Sequence, residues 1–355
     1  MTVISRLAAA ARSVLLALCL GLPMMVGGLS PAAGQGAGQA ADPLPSWTEG
    51  PTKAALLDFV KAVTEPGRPT FVDPADRIAT FDQDGTLWVE KPVYSEVSFA
   101  ASRLRAMAET NPALKDEEPF KTAISGDEEA MGRMPFEDLK KIILLALRGV
   151  SVDQYRMEVV QWLETARNPR LGRLRRELVY QPMREVLDYL RGNGFRTYIV
   201  TGGGQDFVRA YSQRLYGVPP EQVVGTADAV KFGYDAAGRP VLTLEPSLLL
   251  EDIFGGKPEG IHLVIGKRPL IAFGNSTGDR QMLEYAKAGA GARLSLLVLH
   301  DDARREVAYG PALGLPASEV GTFTQALHDE AKARGWFVIS MKSDWKRVFS
   351  FEPMP

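Results

Sequence analysis

Apolar positions divide the chain into segments of different periodicity. From residue 181 to about residue 300, short runs of β-prone apolar residues alternate with stretches in which apolar residues recur at helical spacing. A short apolar run bounded by glycine or polar residues is typical of a buried strand. The sequence predicts weak strands at 223–224 and 241–244, and strong strands at 77–81, 196–200, 269–273 and 294–299.

Helical spacing fills the intervals between these runs, and it fills the whole of segment 91–180, which lies between the first two strong strands. The predicted helices are 51 to about 66, 96–108, 136–147, 152–166, 182–191, 205–215 and 279–288. Strands that alternate with helices favour an α/β fold with a doubly wound, Rossmann-like parallel sheet. We therefore predict an α/β core of residues 42–90 plus 181–355, with residues 91–180 as an inserted all-helical cap.

The N-terminal residues have the parts of a secretory signal peptide. Arg6 and Arg12 precede the apolar run 13–26, and the small residues of 30–41 follow it. A positive start, a short apolar middle and a small-residue end predict export, with residues 1–41 as signal peptide and linker. An uncleaved membrane anchor is the alternative, but the run is short for a span and contains Pro23. We expect a periplasmic or secreted protein that meets the membrane only through this signal.

Composition narrows the chemistry. The chain has 41 Lys and Arg against 43 Asp and Glu, so no excess of basic residues indicates nucleic acid as a partner. Cys19 is the only cysteine, and it falls inside the predicted signal peptide, so the exported chain would lack disulfides. With three histidines and no other cysteine, a zinc site of nitrogen and sulfur ligands is not expected. Any metal here would be bound by oxygen.

Two acidic residues come directly after the first predicted strand, in the run Phe-Asp-Gln-Asp-Gly-Thr of residues 81–86. In an extended segment Asp82 and Asp84 point to the same side, and like charges at that distance are costly unless a cation or a proton intervenes. Mg²⁺ prefers such oxygen ligands. An ionised Asp82 could attack phosphorus while Asp84 protonates the leaving oxygen. Taken alone, the run also fits an Asp-Gly turn without chemistry.

Two further features have the donors that a phosphate group needs. Thr201 ends the second strand and is followed by Gly202 and Gly203, so a hydroxyl and main-chain amides precede a helix. Lys257 stands at a predicted helix start and could neutralise a phosphate, with Lys267 as the rival candidate. A glycine-rich turn and a solvated lysine are the structural alternatives at these two places.

A fourth feature follows the strand at 269–273. Asn275 and Asp279 are four residues apart in a small, polar turn, and that spacing suits an oxygen-ligand metal site. Asp279 also resembles a helix N-cap, and the two roles are compatible.

In their order and spacing these four features resemble the motifs of the haloacid dehalogenase superfamily, and most closely its phosphatase branch of phosphoserine-phosphatase-type members with a helical cap. The resemblance covers residues 71–91 and 181–300. It implies an aspartyl-phosphate enzyme with Asp82 as nucleophile and Asp84 as general acid and base. It also implies that Thr201 and Lys257 bind phosphate, together with the amides of Gly202 and Gly203.

The resemblance implies Mg²⁺ as cofactor, bound by Asp82, the main-chain carbonyl of Asp84 and the pair Asn275 and Asp279. Where the family commonly has Gly-Asp, this chain has Gly274-Asn275, which replaces a carboxylate with a neutral amide. The sequence leaves open which member of the pair contacts the ion.

The predicted function is hydrolysis of a small phosphate monoester. A phosphotransferase with the same intermediate is one alternative, and a scaffold that only binds a phosphorylated ligand is another. Side chains that could contact the substrate are Trp88, Glu90 and Tyr94 after the first motif, and Arg103, Arg133 and Arg148 in the helical segment. The sequence does not identify the ester, the oligomeric state or the role of residues 336–349, which we expect to be packing residues.

Overall fold

The computed structural model describes residues 41–354. The predicted signal peptide and linker, residues 1–41, therefore lie outside the described residues except for Ala41. Within the described part of the chain, no helix combines the length and the apolar character needed to cross a membrane.

A seven-stranded sheet forms the centre of the fold within residues 41–354, in the order β4-β3-β2-β1-β5-β6-β7. Neighbouring strands are parallel except for β3 and β4, which form an antiparallel hairpin. The mostly parallel sheet with helices around it confirms the predicted α/β, Rossmann-like class. The strands are β1 Ile78–Phe81, β2 Arg196–Gly204, β3 Val223–Tyr234, β4 Pro240–Leu250, β5 Ile271–Gly274, β6 Leu294–Leu299 and β7 Phe337–Ser340.

The α-helices of the described residues follow the predicted pattern of helical periodicity, with short additional helices. They are α1 Pro51–Thr64, α2 Ser95–Met107, α3 Phe120–Ser125, α4 Glu128–Met131, α5 Phe136–Ala146, α6 Val152–Thr165, α7 Gln181–Gly192, α8 Gln205–Arg209, α9 Ser212–Tyr216, α10 Gly256–Gly260, α11 Arg280–Lys287, α12 Gln325–Ala333 and α13 Met341–Asp344. A π-helical turn, Ile261–Ile265, continues α10.

Strands β1, β5 and β6 are buried on both faces, as expected of strands that are apolar without interruption. Successive residues of a strand point to opposite faces, and the two faces belong to different apolar clusters. Ile199 and Phe273 pack in one cluster, while their neighbours Val200 and Ala272 pack in the other. On the first face, the rings of Phe81 and Phe273 stack with centroids 4.5 Å apart, which joins β1 to β5.

Helices α2 to α6 lie between β1 and β2 in the sequence, as predicted for segment 91–180. Val97 and Leu104 of α2 and Leu139 and Ile142 of α5 share a separate apolar cluster. By contrast, Val159 of α6 belongs to the main cluster beside the sheet. The domain limits 42–90, 91–180 and 181–355 stay predictions.

The structure differs from the predicted elements at three places. The predicted helix 205–215 is instead two short helices, α8 and α9, with a non-helical break between them. The weak strands at 223–224 and 241–244 are parts of the long hairpin β3–β4, whose turn is closed by hydrogen bonds from Asp235 N–H to Arg239 and from Gly238 N–H to Asp235. The C-terminal stretch contains β7, which pairs with β6, while Trp336 and Trp345 are buried as expected.

Candidate active site

The first predicted motif forms a loop at the carboxyl end of β1. Asp82 is buried, and its main-chain N–H donates to the carbonyl oxygen of Phe273 at 2.9 Å, which fixes the start of the loop against β5. Asp84 is half-buried, and the indole N–H of Trp88 donates to its Oδ1 at 2.8 Å. Both carboxylates line one cavity. Asp82 and Asp84 thus share one site, as the alternation of side chains along an extended segment predicts.

The second motif lies at the end of β2, next to the first. The N–H of Gly203 donates to Thr201 Oγ1 at 3.0 Å, and the N–H of Gly204 donates to Glu96 Oε2 at 2.7 Å. A Cβ atom on Gly203 would lie 3.4 Å from Thr201 Oγ1 and 3.6 Å from Asp84 Oδ2. The Thr201 hydroxyl and the Asp84 carboxylate thus converge on the same small space, beside the main chain of Gly203, which has no side chain to fill it.

Lys257 joins three strand ends. Its ammonium donates to Asp82 Oδ1 and to Asp279 Oδ1, each at 2.6 Å, and to the carbonyl oxygen of Val200 at 2.9 Å. The lysine side chain is buried, so these bonds are shielded from water. The rival candidate Lys267 is exposed and pairs with Asp76, at the other end of β1. The structure therefore brings Lys257, and not Lys267, to the predicted site.

Burial shifts the ionisation of the acidic pair. Burial, followed by repulsion from Asp279, raises the pKa of Asp82 to about 7, although the charge of Lys257 opposes the shift. Burial raises the pKa of Asp84 well above its usual value, and donation from Trp88 offsets only part of this. Burial alone would lower the pKa of Lys257, but attraction by Asp279 and Asp82 outweighs it, and the net pKa is raised. Asp84 is therefore suited to hold a proton.

The fourth motif turns back onto the first. Asp279 Oδ2 accepts from the main-chain N–H of Asn275 at 2.9 Å and of Ser276 at 3.0 Å, while Oδ1 accepts from Lys257. Ser276 and Asp279 form a capping box at the short helical turn before α11. Asp279 precedes α11 as predicted, but its side chain makes no capping hydrogen bond to that helix and is instead the third residue of the box that Ser276 caps. Both of its oxygens are engaged by donors.

The side chain of Asn275 is held by hydrogen bonds at both of its polar atoms. Its Nδ2 donates to Glu90 Oε1 at 2.8 Å, and its Oδ1 accepts from the hydroxyl of Thr86 at 3.2 Å. The hydroxyl of Tyr309 donates to the same Glu90 oxygen at 2.6 Å. Asn275 and Glu90 are each almost wholly buried, so the orientation of the amide is fixed. Glu90 is an acceptor within this network, and its contacts differ from the substrate contact considered from the sequence.

Two left-handed glycines make room for this pair. Gly85 has φ +74°, and a Cβ there would overlap the amide of Asn275. Gly321 has φ +67°, and a Cβ there would overlap the carboxylate of Glu90. The imidazole of His300 adds a third support, since its Nε2 lies 2.8 Å from the carbonyl oxygen of Gly85. Sequence reasoning missed Tyr309 and Gly321, and nothing in their local sequence pattern indicates them.

Most of the predicted residues line one cavity, which has a volume of about 100 Å³. Glu90 and Tyr94 also line it, whereas Arg103, Arg133 and Arg148 do not. The hydrogen bonds of Arg103 go instead to Ala146 O and to Glu158. Asn275 lies behind the lining, and the predicted site residues within it are Asp82, Asp84, Thr201, Gly202, Gly203, Lys257 and Asp279.

The donors present fit an oxygen-bound cation of the Mg²⁺ kind. Within residues 41–354 no three His, Cys, Asp or Glu side chains converge to hold a metal ion by themselves. A cation here would therefore need main-chain and amide oxygens in addition to Asp82, as the predicted ligands provide. Asn275 Oδ1 accepts only one weak hydrogen bond, while both oxygens of Asp279 are engaged. Asp279 lines the cavity and Asn275 lies behind the lining, so both members of the predicted pair stay candidate ligands.

Comparison with known proteins agrees with this geometry. The family model described as haloacid dehalogenase-like hydrolase matches residues 79–284. That stretch is more than half of the chain, and it includes all four motifs. The chain belongs to the haloacid dehalogenase-like hydrolase family, which confirms the resemblance inferred from the motifs. No curated protein matches the chain.

Solved structures also resemble the chain at low sequence identity. A conserved protein of unknown function from Anaerococcus prevotii is 15% identical, with a TM-score of 0.47, over 71% of this chain and 86% of that one. A protein of unknown function from Bordetella pertussis is 20% identical, with a TM-score of 0.44, over 74% and 98%. A phosphoserine phosphohydrolase-like protein from Francisella tularensis is 18% identical, with a TM-score of 0.35, over 65% and 91%.

The buried Asn275–Glu90 hydrogen bond predicts strong coupling between the two positions. Asn275→Asp would place two buried carboxylates next to each other and destabilise the protein. Glu90→Gln in the same chain would restore a hydrogen-bond donor opposite an acceptor. We expect a coupling free energy of about 1–3 kcal/mol from denaturant unfolding of the four proteins without metal. Because a carboxylate replaces the amide, the double variant should also bind Mg²⁺ more tightly than the wild type in calorimetry. Additive effects of the two substitutions would contradict the pairing.

Proposed function

We propose that this protein hydrolyses phosphate monoesters through a covalent phosphate on Asp82. The observation that supports this most is the convergence of two carboxylates, Asp82 and Asp84, with Thr201 and Lys257 on one cavity. A module that only binds phosphate has no need of a buried carboxylate at the point where phosphate would sit, next to a second carboxylate with a raised pKa.

In the first step a carboxylate oxygen of Asp82 forms a bond to phosphorus, and the bond between phosphorus and the ester oxygen breaks. The leaving alcohol oxygen takes its proton from Asp84, whose raised pKa keeps the acid form available. Lys257 and the Thr201 hydroxyl bind the phosphate oxygens on which negative charge develops. The ammonium also keeps Asp82 partly ionised against the effect of burial.

In the second step water attacks the phosphorus of the aspartyl phosphate. Asp84, now a carboxylate, takes one proton of that water, the bond between phosphorus and Asp82 breaks, and inorganic phosphate leaves. Both carboxyl groups return to their starting states, so the cycle needs no other reactant. When bound by Asp82, the Asp84 carbonyl and the pair Asn275 and Asp279, Mg²⁺ would offset the negative charge that phosphate brings to this acidic site.

Transfer of the phosphate to an alcohol instead of water would use the same first step. The two reactions differ only in the acceptor, and the residues at the site serve both. Adding glycerol to the reaction separates them, because a phosphotransferase would form glycerol phosphate at the expense of inorganic phosphate.

Substitution of the two carboxylates tests the proposed reaction. Asp82→Asn should lower turnover of a reactive ester such as p-nitrophenyl phosphate by about 10⁴-fold or more, since it removes the nucleophile. Asp84→Asn should cost about 10²–10⁴-fold, and less for esters whose leaving group needs no proton. Phosphate release with and without Mg²⁺ measures both effects.

Asp76→Asn is the matched control, because Asp76 is exposed, pairs with Lys267 and lies at the opposite end of β1. Its turnover should equal that of the wild type. Full activity of the folded Asp82→Asn variant would contradict the assignment of the nucleophile.

We also propose that the enzyme acts outside the cytoplasm, on the basis of the signal-peptide pattern in residues 1–41. The mature chain should begin between about residue 35 and residue 42. N-terminal sequencing of the protein from intact cells measures this, and a start at Met1 would contradict cleavage.

A further inference from the structure

The ionisable side chains that line the cavity are mostly acidic. Seven carboxylates and two lysines line it, and none of its lining residues is an arginine. Some of these carboxylates belong to the site already described, and Glu96 adjoins it, since it accepts from the N–H of Gly204. Asp228 and Glu251 belong to none of the four motifs and extend the acidic lining of the cavity. Burial, followed by repulsion from Glu96, raises the pKa of Asp228 to about 8, so this wall already resists negative charge.

Both ammonium groups of the lining are already occupied. Lys257 is shared between Asp82 and Asp279 at the catalytic end. Lys140, on α5, forms an ion pair of 2.7 Å with Glu251, which follows β4 at the mouth of the cavity. A second anionic group on a substrate would therefore meet carboxylates without a free cation to bind it, and that arrangement is costly.

The wall formed by α5 is apolar. Phe136, Leu139, Ile143 and Leu144 lie at positions that share one face of this helix, and that face lines the cavity together with Lys140. Leu248 of β4 also lines the cavity. The space beyond the phosphate site is thus suited to an apolar group, and contact with this wall would gain free energy from the area removed from water.

We propose that the substrates are phosphate monoesters whose leaving group is at least partly apolar and carries no negative charge of its own. The proposal rests on the proposed function and names its substrate class. It excludes phosphorylated carboxylic acids and bisphosphates as good substrates. Glu251 acts as a specificity-determining residue, because it keeps the Lys140 ammonium from binding an anionic leaving group.

A pair of esters of equal size tests the class. 4-Carbamoylphenyl phosphate and 4-carboxyphenyl phosphate differ in a neutral amide against a carboxylate, on the same apolar ring. The wild-type enzyme with Mg²⁺ should have a kcat/KM at least about tenfold higher for the neutral ester. Equal values would overturn the proposal while leaving phosphatase activity intact. If neither these esters nor p-nitrophenyl phosphate is hydrolysed, the proposed function fails, and the substrate class fails with it.

The role of Glu251 has its own test, read as the ratio of the two kcat/KM values so that general losses cancel. Glu251→Gln frees the Lys140 ammonium and should lower the neutral-to-anionic ratio at least threefold, mainly through KM for the carboxylated ester. Lys140→Met in the same chain should return the ratio to the wild-type value.

Asp138→Asn is the matched control for this series. It removes an ion pair of the same length, with Lys141, from the same helix but outside the cavity lining. Its ratio should equal that of the wild type. An unchanged ratio in Glu251→Gln, or an equal change in Asp138→Asn, would overturn the role of Glu251.

Discussion

The buried ammonium of Lys257 is the interaction on which the site depends. It binds Asp82 after β1, the carbonyl of Val200 in β2 and Asp279 after β5, and these are the three adjacent central strands of the sheet. Removing one partner of a buried ion pair commonly costs about 3–5 kcal/mol, since a charge is left uncompensated. Here the loss of Lys257 would leave two buried carboxylates facing each other. The same contact keeps Asp82, the proposed nucleophile, partly ionised and joins three strand ends at one site. Lys257 therefore serves both stability and the proposed chemistry.

A second set of contacts reaches the site from the C-terminal part of the chain, beyond the residues that the family model matches. Tyr309 donates to Glu90, Gly321 leaves room for its carboxylate, and Glu90 in turn orients Asn275. The neutral amide at this position is thus accompanied by a carboxylate 2.8 Å away. The carboxylate that an aspartate would contribute directly is thus supplied by the neighbouring Glu90, which lines the cavity. This explains physically how the departure at Gly274-Asn275 is accommodated.

The sequence predicted the parts of the site that depend on strand ends. Short apolar runs identify β1, β2 and β5, and parallel strands bring the residues that follow them to one edge of the sheet. The sequence did not reveal pairings between distant residues, such as Glu90 with Tyr309, 219 positions apart. It also underestimated the length of the hairpin β3–β4, whose outer residues are exposed, and it missed β7. Helix α5 was predicted from its periodicity, but which neighbour its apolar face meets depends on tertiary packing.

In the proposed mechanism Asp82 carries phosphate between the two steps. The phosphorylated protein can be observed directly. An ester labelled with ³²P, mixed with the Asp84→Asn variant and quenched in acid within one turnover, should leave label on the protein. Peptide mapping should place that label on the peptide that contains Asp82, and Asp82→Asn should carry none. Release of phosphate without any labelled protein, or label on another residue, would contradict the covalent mechanism.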